Sequence, residues 1–180
     1  MSDDQQSPNE SPAAAPLEVR LNQLLGEGGG PSVAAAESCT GGNVAHRITS
    51  ISGSSVYFLG SIVSYANSAK MALLGVSEEI LETRGAVSEE CARAMAEGAR
   101  RAFGADVAVS TTGIAGPGGA TERKPVGLVY LASAGPSGIV TRECYFDGNR
   151  AAVIDAATEA ALEMLVAEVE SAISLTKSVS

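Results

Sequence analysis

Lys70 is the residue of this sequence whose surroundings point most clearly to chemistry. It follows an apolar run at residues 56–65, and no Asp or Glu occurs between residues 38 and 77. The chain has 21 acids in 180 residues, so an even mixture of charges would place about five in such a window. Burial away from carboxylates lowers a lysine pKa from about 10.4 toward about 7–8, at a cost on the order of 4 kcal/mol. Lys70 is therefore a candidate general base, with a half-buried lysine whose amine reaches solvent as the alternative.

A general base needs a nucleophile within hydrogen-bond distance, and the nearby sequence offers a tyrosine and several serines. Tyr65 is five residues before Lys70 and can face the same pocket. Ser55 begins the strand that Tyr65 ends, about 30 Å away along an extended chain, so spacing alone leaves the serine partner open. The only histidine, His46, is eight residues after Ser38. That spacing is about 12 Å along a helix, which argues against a serine–histidine pair.

Hydroxyl and glycine residues cluster at three points where predicted strands meet helices or loops. They are ESCTGG at residues 37–42, GSS at 53–55 with YANSAK at 65–70, and TTGIAGPGG at 111–119. Ligands of α/β sheets bind at such strand ends, and exposed amides at residues 37–42 can hold an anion or a developing oxyanion. The alternative for that segment is a tight turn with Thr40 as the N-cap of the next helix. Neither glycine-rich segment is a P-loop, because no Gly-Lys-Ser/Thr ends it.

The predicted strands and helices alternate along the chain, and their order determines where the hydroxyl and glycine clusters lie in the fold. Apolar runs bounded by glycine predict strands at 32–38, 56–65, 106–112, 126–134 and 138–146, of which the last two form a hairpin. Helical periodicity predicts helices after Pro16, from Val44 to Ile51, around Lys70 up to Gly75, from Ser88, and over about 149–175. This order predicts one domain at 16–175, an α/β fold with a mixed sheet and helices on both faces. Residues 1–15 are polar and aperiodic, which predicts a disordered tail.

Composition excludes several function classes. The net charge of −9 and the scattered basic residues argue against nucleic-acid binding, which needs clustered Lys and Arg. No apolar run approaches the roughly 20 residues of a membrane span, and no secretory signal is visible, so we expect a cytoplasmic protein. The three cysteines are far apart and only one histidine is present, which predicts neither a metal site nor a disulfide framework.

Five segments of the chain resemble one protein family. They are AESCTGG at 36–42, residues 53–76, GAVSEE at 85–90, residues 94–119 and KPVGLVY at 124–130. They are similar to the CinA C-terminal domain family, the nicotinamide-nucleotide amidohydrolases. The resemblance extends from about Ser32 to Ala167. It implies a three-layer α/β/α fold with a mixed, mostly parallel sheet of about five strands. The family often carries this domain behind a larger molybdopterin-binding-like domain, and we expect a stand-alone form here.

The resemblance also implies an activity and a site. The activity is hydrolysis of the carboxamide of nicotinamide mononucleotide to nicotinate mononucleotide and ammonia, in pyridine-nucleotide salvage, through an acyl-enzyme and without metal or organic cofactor. The implied catalytic residues are Ser55, Lys70 and Tyr65, where a bulge or bend near Gly60 shortens the path from serine to lysine. The implied substrate-binding residues are Ser38, Thr40, Gly41, Gly42, Thr112, Gly113 and Arg150.

Two alternatives to this interpretation stay open. In the first, Ser38 is the nucleophile and Ser55 is only a pocket residue. In the second, the protein is a non-catalytic nucleotide-binding or regulatory module that retains the pocket without turnover. We also expect a homo-oligomer, since small α/β enzymes are commonly symmetric assemblies.

Overall fold

The computed structural model describes residues 15–179, which form a five-stranded sheet and six α-helices. The predicted tail at 1–15 lies outside the described residues except for its last position. The strands are β1 Val33–Glu37, β2 Phe58–Val63, β3 Val107–Gly113, β4 Leu128–Gly135 and β5 Gly138–Tyr145. The helices are α1 Leu17–Leu25, α2 Asn43–Thr49, α3 Asn67–Leu74, α4 Glu78–Thr83, α5 Glu89–Phe103 and α6 Arg150–Val179, with a 3-10 turn at Ser54–Val56.

The sheet is mixed and its strand order is β2-β1-β3-β4-β5. Strand β1 pairs in parallel with β2 and with β3, whereas β4 is antiparallel to both of its neighbours. Two of the four pairings are therefore parallel, and β4 runs against the other four strands. The predicted hairpin is confirmed as β4 and β5. The predicted mixed α/β sheet of five strands is confirmed as well.

Helices cover both faces of the sheet, because β1 and β3 bury alternate residues on opposite sides. On one face, Val33 and Ala35 pack with α1, α2 and α6. On the other face, Ala34 and Ala36 pack with α3 and α5, with α4 at the margin. Strand β1 is fully buried, and its alanines let the helices lie close to the sheet.

Two glycines determine where α3 lies. Gly75 ends α3 in the left-handed conformation at φ 69°, where a residue without a side chain is favoured. Gly98 of α5 faces the end of α3 so closely that a Cβ there would be 2.1 Å from the Leu74 carbonyl oxygen. Helix α3 is thereby held against α5 directly after β2, and it carries Lys70 into the interior.

Helix α4 was not predicted from the sequence. It has six residues, none of them buried, so no apolar periodicity marks it. Ser77 begins it as an N-cap that accepts from the Ile80 amide. The predicted N-cap Ser88 is confirmed at the start of α5, where its hydroxyl accepts from the Cys91 amide.

Strands β2, β1 and β3 end at one edge of the sheet because they are parallel neighbours. Glu37 at the end of β1 pairs with Val63 of β2 and Thr111 of β3. The segments that follow these strands therefore meet at this edge, where ligand sites of α/β sheets occur. Across residues 15–179, none of the helices has the length and apolar character needed to cross a membrane.

Candidate active site

Lys70 is buried at the carboxyl edge of the sheet, with 1% of its surface exposed. Its Nζ lies 3.0 Å from Ser38 Oγ, 2.7 Å from the Ser64 carbonyl oxygen and 3.4 Å from the Tyr65 carbonyl oxygen. An unprotonated amine has two N–H donors and one lone pair. In the structure all three oxygens accept from Lys70 Nζ. When the amine is unprotonated, the two carbonyl oxygens use both N–H donors, which leaves the lone pair for the Ser38 hydroxyl proton.

Burial lowers the pKa of Lys70, because desolvation disfavours the ammonium ion. A negative charge on Cys91 or Cys39 would oppose this change and raise the pKa of Lys70. Burial also raises the pKa of each thiol to about 11, so both are uncharged at neutral pH. No thiolate is therefore available there to hold the proton on Lys70.

Ser38 lies directly after β1 and is brought to Lys70 by the parallel pairing of β1 with β2. Its amide donates to the Thr111 carbonyl oxygen at 3.0 Å, which extends the β1–β3 ladder by one residue. Ser38 was predicted as a substrate-binding residue and as the alternative nucleophile. In the structure it is the serine whose hydroxyl contacts the lysine amine.

Ser55 does not lie at this edge of the sheet, so the structure corrects its predicted pairing with Lys70. It is exposed in the 3-10 turn Ser54–Val56, before the start of β2, whereas Lys70 follows the end of β2. Six strand residues separate the two ends, about 20 Å of extended chain. The predicted irregularity near Gly60 exists, since the register shifts between the Val33–Phe58 and Ala34–Gly60 pairs. One bulged residue shortens the strand too little to bring the serine to the amine.

Tyr65 and Arg150 meet at the mouth of the same cavity. Arg150 donates through Nη2 to the Tyr65 hydroxyl at 2.8 Å and through Nη1 to the Gly116 carbonyl oxygen at 2.7 Å. The Tyr65 side chain is 62% exposed, and its hydroxyl is engaged with arginine, while only its backbone carbonyl contacts Lys70. The structure thus places the Tyr65 side chain in the cavity wall and not against the lysine amine.

Thr40, Gly41 and Gly42 form the turn between β1 and α2, and this turn is built around the carboxylate of Glu37. That carboxylate accepts hydrogen bonds from the Thr40 hydroxyl at 2.7 Å and from the amides of Gly42, Val44 and Ala45 at 2.9–3.1 Å. Ser61 of β2 adds a fifth at 3.0 Å. Thr40 was the N-cap in the alternative interpretation of this segment, and the structure corrects that: the N-cap of α2 is Gly42 at φ 107°, and Glu37 supplies the capping oxygens.

Glu37 is fully buried, and sequence reasoning missed it because it is the last residue of a strand just outside the acid-free window. We expect Glu37→Ala to lower the free energy of unfolding by about 3–5 kcal/mol, since buried amides and hydroxyls lose their acceptor. Urea unfolding measures this loss. Glu27→Ala is the control, because Glu27 is exposed and the charge change is the same. A loss within 1 kcal/mol of the control would contradict this role of Glu37.

Thr112 and Gly113 end β3 beside the turn. The Thr112 hydroxyl donates to the Ala86 carbonyl oxygen at 2.7 Å and joins β3 to the loop before α5. Gly113 leads into the glycine-rich loop, whose residues Gly116, Gly118 and Gly119 line the cavity. Both predicted residues therefore lie at the site, Thr112 through its contact with the loop and Gly113 through the cavity wall.

A cavity of about 250 Å³ lies between these elements. It brings together the predicted residues Ser38, Tyr65, Lys70, Thr112, Gly113 and Arg150, whereas the predicted residues Thr40, Gly41, Gly42 and Ser55 do not line it. Cys39, Asn67, Ala86, Val87, Ile114 and Ala115 also line it and were not predicted as site residues. Within residues 15–179, no group of three or more His, Cys, Asp or Glu side chains is arranged to hold a metal ion.

A family sequence model decides the family of this chain. The model of the CinA C-terminal domain matches residues 15–169, most of the chain. The chain belongs to the CinA C-terminal domain family.

Relatives and solved structures agree with this assignment. A CinA-like protein of Syntrophomonas wolfei is 52% identical over 136 residues, which are 76% of this chain and 33% of that protein. A CinA-like protein of Geobacter sulfurreducens is 50% identical over 136 residues. The CinA domain described here thus spans about a third of the length of these curated relatives.

Solved structures of the family match the fold as well. The competence/damage inducible protein CihA of Agrobacterium tumefaciens has 42% identity and a TM-score of 0.79, over 88% of this chain and 98% of that chain. A CinA superfamily protein of Enterobacter cloacae has 30% identity and a TM-score of 0.82, over 94% of this chain and 98% of that chain. The predicted family and fold class are confirmed.

Proposed function

We propose that this CinA domain hydrolyses the carboxamide of nicotinamide mononucleotide through a serine–lysine mechanism in which Ser38, not Ser55, is the nucleophile. One observation carries the proposal: Ser38 Oγ lies 3.0 Å from the buried Lys70 Nζ, and both line one cavity. A serine hydroxyl becomes a useful nucleophile when an adjacent base removes its proton. The resemblance of the sequence to nicotinamide-nucleotide amidohydrolases supplies the substrate class.

The first half of the reaction forms an ester. Ser38 Oγ attacks the carboxamide carbon while its proton moves to Lys70 Nζ. The tetrahedral intermediate then breaks its C–N bond, and the Lys70 ammonium returns the proton to the departing nitrogen. Ammonia leaves and a nicotinoyl ester remains on Ser38.

The second half of the reaction hydrolyses this ester. Lys70 is again unprotonated and removes a proton from a water that attacks the ester carbonyl. The proton passes to Ser38 Oγ as the C–O bond breaks. Nicotinate mononucleotide is released with one water consumed, and both side chains return to their starting forms.

The developing oxyanion requires a hydrogen-bond donor, and the hydrogen bonds of the structure favour a donor other than the expected glycine amides. The expected donors are the amides of Gly41, Gly42 and Gly113. The Gly41 amide donates to the Ser38 carbonyl oxygen and the Gly42 amide donates to Glu37, so these two are already engaged. We assign the role to the Cys39 amide, because the amide after a nucleophilic serine commonly serves as an oxyanion donor. Cys39 also lines the cavity.

Arg150 and Tyr65 suit the phosphate end of the substrate. Two Arg150 donors are used by Gly116 and Tyr65, and a guanidinium has five, which leaves three for a phosphate. The Tyr65 hydroxyl is exposed beside it and can donate to the same group. A nucleotide bound this way spans the cavity from Ser38 to its mouth.

The wild-type protein is expected to release ammonia from nicotinamide mononucleotide in a pH-dependent manner. Catalysis needs unprotonated Lys70, whose pKa is lowered by burial, so kcat/KM falls about tenfold per pH unit once the pH drops below that pKa. A coupled ammonia assay between pH 5 and 9 measures the profile. Binding of the nucleotide without ammonia release would favour the non-catalytic module instead, and a flat rate across this range would rule out the amine as the base.

Two further expectations stay predictions. The protein is expected in the cytoplasm, where pyridine nucleotides are salvaged, and it is expected to form a homo-oligomer. Nucleic acid is not expected as a partner, since the basic residues are scattered and the net charge is −9, and a membrane is not expected either, since no apolar run is long enough to span one.

A further inference from the structure

The loop at residues 84–87 contributes Ala86 and Val87 to the cavity wall. The side chains of three residues outside this loop bind all four of its carbonyl oxygens. Lys124 Nζ donates to the carbonyl oxygens of Arg84 and Val87 at 2.7 and 2.6 Å. Ser88 Oγ donates to that of Gly85 at 2.8 Å, and Thr112 Oγ1 donates to that of Ala86 at 2.7 Å. Backbone groups in loops are usually bound by water or by neighbouring backbone, so a loop with every carbonyl bound by side chains is held in one conformation.

Lys124 makes two of these four bonds and bridges the two ends of the loop. A lysine normally leaves its amine in water, but this one directs it at backbone carbonyls. Its Nζ also lies so near Gly85 that a Cβ at that position would be 3.2 Å away. The φ of Gly85 is +82°, a value that favours glycine. A side chain at residue 85 would therefore crowd the Lys124 amine and strain the backbone.

The segment that carries Lys124 supports the opposite wall too, although none of its residues lines the cavity. Val126 packs under Gly116, where a Cβ would meet its side chain at 2.7 Å. The Gly127 amide donates to the Ile114 carbonyl oxygen at 2.8 Å, and the Ile114 amide donates to the Leu128 carbonyl oxygen at 2.9 Å. Residues 124–128 thus contact both segments that form the cavity walls, the loop at residues 84–87 and residues 114–116, without lining the cavity themselves. This segment begins the KPVGLVY stretch, to which the proposed mechanism gives no role.

The wall fixed by Lys124 lies close to the reacting serine. Ala86 is joined to Thr112, and the preceding residue, Thr111, accepts the hydrogen bond from the Ser38 amide. A carboxamide positioned for attack by Ser38 has its planar ring one bond away. The apolar side chains of Ala86 and Val87 line the cavity and offer that ring a non-polar surface.

We propose that Lys124 is a positioning residue for substrate binding. By holding the carbonyl oxygens of Arg84 and Val87, it fixes Ala86 and Val87 as the surface against which the aromatic ring of the substrate packs. The ring identity rests on the proposed function, whereas the support of the wall by Lys124 does not. Because the wall contacts substrate and transition state alike, its loss weakens binding and leaves the chemical step largely intact.

Three variants test this role in the otherwise intact chain. Lys124→Met removes the amine and retains the stem. Lys124→Arg keeps donors that reach two carbonyls. Arg123→Met is the matched control, because Arg123 is exposed in the same loop and its loss changes the net charge equally. We expect Lys124→Met to raise KM for nicotinamide mononucleotide about tenfold over the wild type, with kcat within about threefold of the wild type. Lys124→Arg is expected to restore KM to within about threefold of the wild type. Arg123→Met is expected to change KM less than twofold.

A second readout does not depend on turnover. Trypsin cleaves after Arg84, and opening of the loop exposes that bond, so Lys124→Met is expected to be cut there about tenfold faster than Arg123→Met. The Kd for nicotinamide mononucleotide, measured by calorimetry in a Ser38→Ala background, separates the two proposals. Absence of ammonia release in the wild type would overturn the proposed function, while a Kd raised about tenfold by Lys124→Met would still support the positioning role. KM and Kd values of Lys124→Met within twofold of Arg123→Met, or equal cleavage rates, would overturn it.

Discussion

Ser38→Ala is expected to lower kcat for nicotinamide mononucleotide hydrolysis by about 10⁴-fold or more, whereas Ser55→Ala changes it by less than about twofold. The first variant removes the oxygen that lies 3.0 Å from Lys70 Nζ. The second alters an exposed turn at the other end of β2. Single-turnover kinetics with ammonia detection measures both effects.

Covalent trapping makes this comparison decisive. Rapid quenching of wild-type turnover followed by peptide mass spectrometry is expected to find the nicotinoyl nucleotide on the peptide that contains Ser38. Thermal unfolding of each variant serves as the control, since Ser38 is buried and its loss must not be confused with unfolding. An inactive Ser55→Ala protein beside an active Ser38→Ala protein would restore the serine that the resemblance first implied.

Lys70→Met is expected to lower kcat by about 10³-fold or more, because the side chain keeps its length and loses the base. The residual rate should no longer fall with decreasing pH between 5 and 9, since the titrating group is gone. The same ammonia assay, run across that range beside the wild type, measures both effects. A variant that retains wild-type turnover would contradict the assigned role of the amine.

The same substitution has a consequence for stability that is independent of turnover. The pKa of Lys70 is lowered in the folded protein from the ordinary value of 10.5. Between the lowered pKa and 10.5 the unfolded chain binds more protons than the folded one, so rising pH stabilises the wild type relative to Lys70→Met by up to about 1.4 kcal/mol per pH unit. Urea unfolding of both proteins at pH 7 and 9.5 tests the sign. A stability difference that stays constant with pH would mean that Lys70 keeps its ordinary pKa.

The sequence predicts the fold well, because its signals are local. Buried strands appear as short apolar runs bounded by glycine, and Ser88 and Gly75 mark a helix start and a helix end where the structure has them. Helix α4 was missed because it buries no residue. The hairpin of β4 and β5 was predicted, whereas the antiparallel pairing of β3 with β4 is not shown by apolar patterns alone.

The candidate site contains one residue that a local sequence signal predicts and one that depends on the order of the strands. Lys70 was identified because the absence of acids along 40 residues is itself a local signal. Its serine partner depends on strand order, a long-range property: Ser38 follows β1, and only the parallel pairing of β1 with β2 brings it beside the lysine. The distance along β2 from Ser55 to Lys70 carries no information about Ser38, which belongs to another strand. A comparison of the carboxyl ends of all predicted strands would have favoured Ser38.

Residues that support the site without lining the cavity have the weakest signals in the sequence. Glu37 resembles the end of any strand, yet its carboxylate holds the turn that follows Ser38. Lys124 resembles any loop lysine, yet its amine is bound to two carbonyl oxygens 37 and 40 residues away in the chain. Such roles depend on contacts between distant segments, and residue type alone does not encode them.

The two thiols next to Lys70 affect which reagents can inactivate the protein. Alkylating agents such as iodoacetamide react with thiolates, and burial holds the pKa of Cys39 and Cys91 at about 11. Cys39 therefore offers almost no nucleophilic sulfur at neutral pH, although it adjoins Ser38, the proposed nucleophile, in sequence. Selective covalent inhibitors of this domain should carry an electrophile suited to an alcohol rather than to sulfur.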